Sequence, residues 1–103
     1  MNKSNIFSLI PKDLPEELFE DIISTEKIKI ERIISKGNIS NEWYEQDKNE
    51  WVILLKGGAI LSFENEDDVS LNEGDYINIP AYKKHKVSWT KEDVETIWLA
   101  VFY

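Results

Sequence analysis

Apolar residues follow two different spacings along this chain, and the spacing changes near residue 24. Between residues 13 and 24 the apolar positions are Leu14, Leu18, Phe19, Ile22 and Ile23. They recur every three or four residues, as on one face of an α-helix. Asp13 can cap such a helix, Glu16 follows three residues later, and Pro15 suits a first turn. The pattern predicts one short N-terminal helix that packs by its apolar stripe, preceded by an arm over residues 1–12.

From residue 28 onward the apolar positions alternate with polar ones, or form short continuous runs rich in β-branched and aromatic residues. The runs cover residues 28–34, 51–55, 59–64, 69–71, 76–79, 86–89 and 97–103. Turn-forming residues separate them, including Gly57-Gly58 and Asn72-Glu73-Gly74-Asp75. Many short strands at close spacing indicate a β-sandwich or barrel rather than βαβ units. We therefore predict an all-β barrel over residues 28–103, with residues 1–27 forming an arm and helix of the same structural domain.

Composition narrows the choice of partners. The 103 residues are enough for one domain, and 20 Asp and Glu against 12 Lys and Arg give a net charge of −8. A negative field of this kind argues against binding to nucleic acid or to an anionic membrane surface. The chain has no Cys, which excludes disulfides and thiolate metal sites and favours a cytoplasmic location.

Two short motifs point to a family. Glu50 is followed after six residues by Gly57, and the segment from Gly74 runs through Pro80 to His85 with motif-like spacing. The two segments occur in this order inside an all-β pattern, and together they resemble the two motifs of the cupins. The chain resembles in particular the small single-domain bacterial cupins of the conserved-barrel (cupin 2) type. The resemblance implies a double-stranded β-helix, or jelly-roll, barrel whose matching Glu and His bind a metal from the interior. Tyr82 stands where the second motif usually has Gly.

The first motif departs from the family pattern, which usually places His-x-His three or four residues before its Glu. His85 is the only histidine of the chain. With three residues between the motif and Glu50, the two histidine positions are occupied by Tyr44 and Gln46. With four residues between them, they are occupied by Trp43 and Glu45. The resemblance therefore implies a reduced metal set. We expect Glu50, His85 and Gln46 as ligands, with Tyr44 or Glu45 as second choices, for one divalent ion such as Zn, Mn, Fe or Ni.

Alternation along the strands predicts which side chains face the barrel interior. It places Glu50 on one face with Val52 and Leu54, and it places His85 with Val87 and Trp89. Glu50 and His85 should then meet within a few ångströms at the barrel mouth. Three aromatic residues are candidates for contacting a bound small molecule: Tyr44, Trp89 and Trp98.

Three functions fit these expectations. The first is a barrel-mouth site for a divalent metal, a small organic ligand or both, as in a metal-dependent enzyme of unknown substrate. The second is a metal-free module that binds or senses a small molecule, and the third is a metal-free acid–base isomerase that uses His85 and Glu50. Whether the chain is an enzyme stays open at this point. A homodimer is also expected, because small barrels have open edge strands, and the apolar arm Ile6–Ile10 is a candidate for crossing to a partner.

Overall fold

The computed structural model describes all residues 1–103 and contains eight β-strands and no helix. The strands are β1 (Leu18–Ser24), β2 (Lys29–Ser35), β3 (Glu50–Lys56), β4 (Gly58–Phe63), β5 (Val69–Asn72), β6 (Tyr76–Ile79), β7 (His85–Thr90) and β8 (Thr96–Phe102). Seven of them lie where the strand pattern predicts them, so the all-β prediction is confirmed. The structure has no helix long and apolar enough to cross a membrane.

The strands form two antiparallel sheets that enclose one core. The larger sheet has the order β1-β2-β8-β3-β6 and the smaller sheet has the order β5-β4-β7. Every second residue of β3 is buried, as strand alternation requires. The core cluster draws on both sheets: Ile33, Val52, Leu54, Ala59, Leu61, Phe63, Leu71, Ile79, Trp98, Ala100 and Phe102. The fold is therefore a two-layer barrel in which both sheets face the same interior.

The predicted N-terminal helix is wrong, because residues 18–24 form strand β1 instead. This strand pairs antiparallel with β2, with Leu18 opposite Ile34 and Glu20 opposite Arg32. A register shift between Asp21 and Ile23 interrupts the alternation. The apolar residues of β1 therefore recur every three or four residues, as they would in an amphipathic helix. Without β1, the outer edge of β2 would leave backbone groups unpaired, and pairing them outweighs local helical preference.

Arg32 fixes the N-terminal arm to the barrel. Its guanidinium donates to the backbone carbonyl oxygens of Ile6 at 3.0 Å and Ser8 at 2.5 Å, and to the carboxylate of Glu20 at 2.8 Å. Only 10 % of its side chain is exposed. One buried cation therefore holds both the arm and β1 against the outer face of β2.

The edge strand β1 exposes apolar side chains to solvent. Phe19, Ile22 and Ile23 are each about half exposed along it. An open edge with apolar side chains is a feature that proteins commonly cover by pairing with another chain. The homodimer stays a prediction, although the arm that was expected to cross to a partner is bound here by Arg32 of its own chain.

The motif turns require unusual backbone angles. Gly57, between β3 and β4, has a φ of +94°, a region that favours glycine. Tyr82 has a φ of +65°, although it is not a glycine. Its backbone N–H donates to the carbonyl oxygen of Gln46 at 2.7 Å. The strained turn at Tyr82 therefore holds the loop that carries Gln46 beside the start of β7.

Candidate functional site

Glu50 and His85 meet inside the barrel, as their motif spacing predicts. Glu50 is the first residue of β3 in the larger sheet, and His85 is the first residue of β7 in the smaller sheet. His85 Nε2 lies 3.4 Å from Glu50 Oε1, with only 9 % and 10 % of the two side chains exposed. The barrel thus brings an imidazole and a carboxylate from opposite layers into direct contact.

Gln46 and Tyr44 extend this contact into a chain of hydrogen bonds. The side-chain amide of Gln46 donates to Glu50 Oε1 at 3.2 Å, and the hydroxyl of Tyr44 donates to Gln46 Oε1 at 3.1 Å. Two backbone hydrogen bonds of 2.9 and 3.0 Å join Tyr44 to His85, and the two rings pack edge to face. Four of the predicted site residues therefore form one connected group.

The surroundings of His85 place one proton between its ring and Glu50. His85 Nδ1 lies 2.8 Å from the backbone carbonyl oxygen of Lys83, which can only accept, so Nδ1 carries a proton. Nε2 then faces a carboxylate oxygen, and the two atoms repel each other unless one of them is protonated. Burial lowers the pKa of His85, but the hydrogen bonds to Glu50 and Lys83 and the negative charge of Glu50 outweigh burial and raise the pKa overall.

A cavity of about 900 Å³ opens beside this pair. It is large enough for a small organic molecule, and its wall combines aromatic, aliphatic and charged side chains. Five of the predicted site residues line it: Tyr44, Gln46, Glu50, His85 and Trp98. The indole Nε1 of Trp98 is buried without a hydrogen-bond partner.

Two predicted site residues lie outside the cavity. Trp89 was expected to share the inward face of His85, but it is 43 % exposed and pairs with Ile60 on the outer face of β4. The cause is a β-bulge: Val87 pairs with Leu61 and Trp89 with Ile60, so β7 has one extra residue there and the alternation reverses. Glu45 is exposed and does not line the cavity.

Three further carboxylates that the motifs do not reveal line the cavity: Glu17, Glu31 and the exposed Glu42. Burial, followed by the charges of Glu50 and Glu31, raises the pKa of Glu17 to about 7. Burial likewise raises the pKa of Glu31, although Lys29 lies 3.3 Å away and opposes the shift. Glu31 shares a strand face with Ile33, so alternation could have identified it. Glu17 lies in the segment predicted as a helix, so no strand pattern pointed to it.

The donor set does not fit a tightly bound divalent metal. Structural and catalytic metal sites use three or more protein donors, and no group of three His, Asp or Glu side chains is placed to hold an ion. The amide nitrogen of Gln46 points to Glu50, and its oxygen already accepts from Tyr44. Glu45 is exposed outside the cavity. The remaining donors are one imidazole nitrogen and one carboxylate, so the metal stays a prediction of the sequence.

A model of a known domain family matches most of the chain. The family is described as the cupin domain, and the match covers residues 31–102. It includes both sequence motifs, and it includes every strand of the barrel except β1 and the first residues of β2. No curated protein matches the chain.

Solved structures share this architecture. A protein of Ralstonia eutropha JMP134, described as a "putative mannose-6-phosphate isomerase", is 34 % identical with a TM-score of 0.94, over 99 % of this chain and 97 % of that one. A cupin superfamily protein of Desulfitobacterium hafniense DCB-2 is 17 % identical with a TM-score of 0.81, over 99 % and 91 % of the two chains. The similarity to the Desulfitobacterium protein shows the fold alone. The similarity to the Ralstonia protein is one of both structure and sequence, over nearly the whole length of both chains.

Proposed function

This chain belongs to the cupin domain family, and from that premise we propose that it binds a small organic molecule in the barrel cavity and transfers a proton with His85 and Glu50, without a metal. The observation that carries the proposal is the contact of 3.4 Å between His85 Nε2 and Glu50 Oε1 at the cavity wall. Acid–base catalysis needs a proton that can move between a protein group and a bound reactant near neutral pH. A shared proton between an imidazole and a carboxylate meets that need.

The neighbours of the pair leave one oxygen of Glu50 for a ligand. Gln46 and His85 both contact Oε1, so Oε2 accepts no hydrogen bond from the protein. Tyr44 fixes the orientation of the Gln46 amide, and the carbonyl oxygen of Lys83 fixes the orientation of the imidazole. Held in this way, the carboxylate can accept a proton from a bound molecule through Oε2 while His85 stabilises its charge.

The reaction type that best suits this arrangement is isomerisation next to a carbonyl group. Interconversion of an aldose and a ketose moves one proton from a carbon to its neighbour and a second proton from the hydroxyl oxygen of one carbon to the carbonyl oxygen of the other. The carboxylate of Glu50 can carry the first proton, and His85 can exchange the second with the two oxygens. The likeness to the Ralstonia protein, whose description names a mannose-6-phosphate isomerase, supports this reaction class. A binding module without turnover is the second candidate, supported by the mixed aromatic and polar wall of the cavity.

Solvent exchange tests the proposal without knowledge of the natural substrate. Chelator-treated protein is incubated in D2O with mannose, mannosamine and mannose 6-phosphate, and proton NMR follows loss of the signal from the hydrogen at C2. We expect exchange in at least one sugar. Glu50→Gln and His85→Gln should each slow it by about 100-fold or more, because acid–base groups contribute at least that factor.

The control for this experiment is Glu45→Gln, which removes a nearby carboxylate outside the cavity and should exchange like the wild type. Exchange that stops after chelation and returns with Zn²⁺ or Mn²⁺ would favour the metal site instead. A saturable Trp fluorescence response to a sugar without any exchange would favour the binding module.

A further inference from the structure

Strands β3 and β8 carry apolar residues on both of their faces. Every residue is apolar in the runs 51–55 and 97–102, whereas a strand with one solvated face alternates apolar and polar residues. In each run alternate residues belong to the core cluster, and the residues between them point to the outside of the larger sheet. Continuous apolar runs are typical of strands that are covered on both sides. The outside of the larger sheet therefore also calls for a cover.

The strand register gathers these outward side chains into one surface. They form two cross-strand rows, which we call the outer patch: Ile30, Val101 and Trp51 in the first row, and Leu99, Ile53 and Tyr76 in the second. None of them is buried, and Tyr76 is 66 % exposed. The rings of Trp51 and Tyr76 pack together with their centres 5.4 Å apart. The outer patch is thus continuous across β2, β8, β3 and β6.

The N-terminal arm covers the other end of this outward side. Ile34 and Ile97 lie opposite each other on β2 and β8, outside the core cluster, and both are fully buried. The arm is fixed there by Arg32 and by the side-chain amide of Asn38, which donates to the carbonyl oxygen of Leu14 at 3.3 Å. The chain therefore covers one end of the outward side with its own residues and leaves the outer patch uncovered.

The distribution of charge favours a second copy of this chain as the cover. No residue of the outer patch is charged, so a partner selected by opposite charge would find nothing to pair with. In a two-fold contact a surface meets a copy of itself, and any net charge on it would meet like charge. Each copy carries a charge of −8, so two copies approach most favourably through a face that carries none.

The size of the face also suits a dimer contact. The sheet has four strands of seven residues and one of four, so one face covers on the order of 500 Å² at ordinary strand spacings. Two such faces in contact would bury about 1,000 Å², which is the area that a specific interface should reach. The arm lies over part of this face, but it presents Phe7 and Leu9, which are 50 % and 92 % exposed, at its own surface.

We propose that two copies of this chain associate by packing their outer patches face to face about a two-fold axis. This contact uses neither an exchange of the N-terminal arms nor pairing of the β1 edges. It lies on the outside of the larger sheet, whereas Glu50 and His85 face the cavity inside the barrel. The inference is therefore independent of the proposed proton transfer.

Sedimentation velocity at micromolar concentrations tests the proposal. The wild type should sediment with twice the mass of one chain. Ile53→Lys places a charge within the outer patch and should raise the dissociation constant of the dimer by about 100-fold or more, because like charges would be buried unpaired at the contact. Ile60→Lys is the matched control, since Ile60 is also a partly exposed isoleucine but lies on the outer face of the smaller sheet. This variant should remain a dimer.

A second variant keeps the test decisive if Ile53→Lys does not fold. The side chain of Tyr76 is mostly exposed, so Tyr76→Lys should keep the wild-type circular dichroism spectrum and weaken the dimer by about tenfold. The proposal is wrong if the wild type is a monomer, if the dimer survives a folded lysine variant of the outer patch unweakened, or if Ile60→Lys weakens it equally. A dimer that is lost only in Ile22→Lys would place the contact at the β1 edge and would also overturn the proposal.

Discussion

Replacing Gly57 by alanine is expected to lower the free energy of unfolding by about 4 kcal/mol, because the substitution combines backbone strain with overpacking. A Cβ at this position would lie 2.4 Å from Thr96 Oγ1 and 2.7 Å from Thr96 Cα, and the φ of +94° already disfavours any side chain. Thr96 cannot move aside easily, since it is fully buried and its hydroxyl bonds to both backbone polar groups of Gly58. Urea denaturation followed by Trp fluorescence measures the change.

Gly74→Ala is the matched control for this prediction. Gly74 has a φ of +91°, but a Cβ built there meets no atom within 4 Å. Its substitution should therefore cost only the backbone term, about 1–2 kcal/mol. Equal losses for the two variants would show that the approach of Thr96 to the β3–β4 turn is not as close as described.

Replacing Arg32 by methionine is expected to lower the free energy of unfolding by about 3 kcal/mol and to release the N-terminal arm. The guanidinium donates to the carbonyl oxygens of Ile6 and Ser8 and pairs with Glu20, and hydrogen bonds from a buried charged group are among the strongest in proteins. Methionine keeps the apolar stem and removes every one of these bonds.

Urea denaturation and limited proteolysis together check the Arg32 prediction. We expect cleavage within residues 1–12 to become fast in Arg32→Met, while Lys36→Met, which removes an exposed cation from the residue after β2, should behave like the wild type. An arm that stays protected in Arg32→Met would mean that its apolar side chains, and not Arg32, hold it in place.

The sequence predicted the barrel well wherever strand alternation and turn residues agree. The run that starts at Glu50 alternates cleanly, and the structure buries Glu50, Val52 and Leu54 together. Gly57 and Gly74 mark turns whose positive φ angles favour glycine. The motif spacing placed Glu50 and His85 at the starts of two strands that meet inside the barrel. Once the turns are known, the number of residues that follow each turn determines where the next strand begins.

The predictions from sequence are wrong where one extra residue shifts the pairing register of a strand. The irregularity in β1 near Ile22 gives its apolar residues helix-like spacing, and the extra residue in β7 turns Trp89 outward. Bulges depend on how two strands pair, which the sequence of one strand alone does not specify. Glu17 was missed for the same reason, since its place in the cavity follows from β1 pairing with β2.

The central claim is that His85 and Glu50 share a proton, and the titration of His85 tests it most directly. His85 is the only histidine in the chain, so the imidazole signals in a ¹⁵N NMR titration need no assignment. We predict a pKa above the ordinary 6.5, with Nδ1 protonated throughout, and a lower pKa in Glu50→Gln. Because the pKa is raised on folding, the stability that the pair contributes should be complete below pH 6.5 and lost as the pH rises through the folded pKa. A His85 pKa at or below 6.5 that does not change in Glu50→Gln would contradict the shared proton.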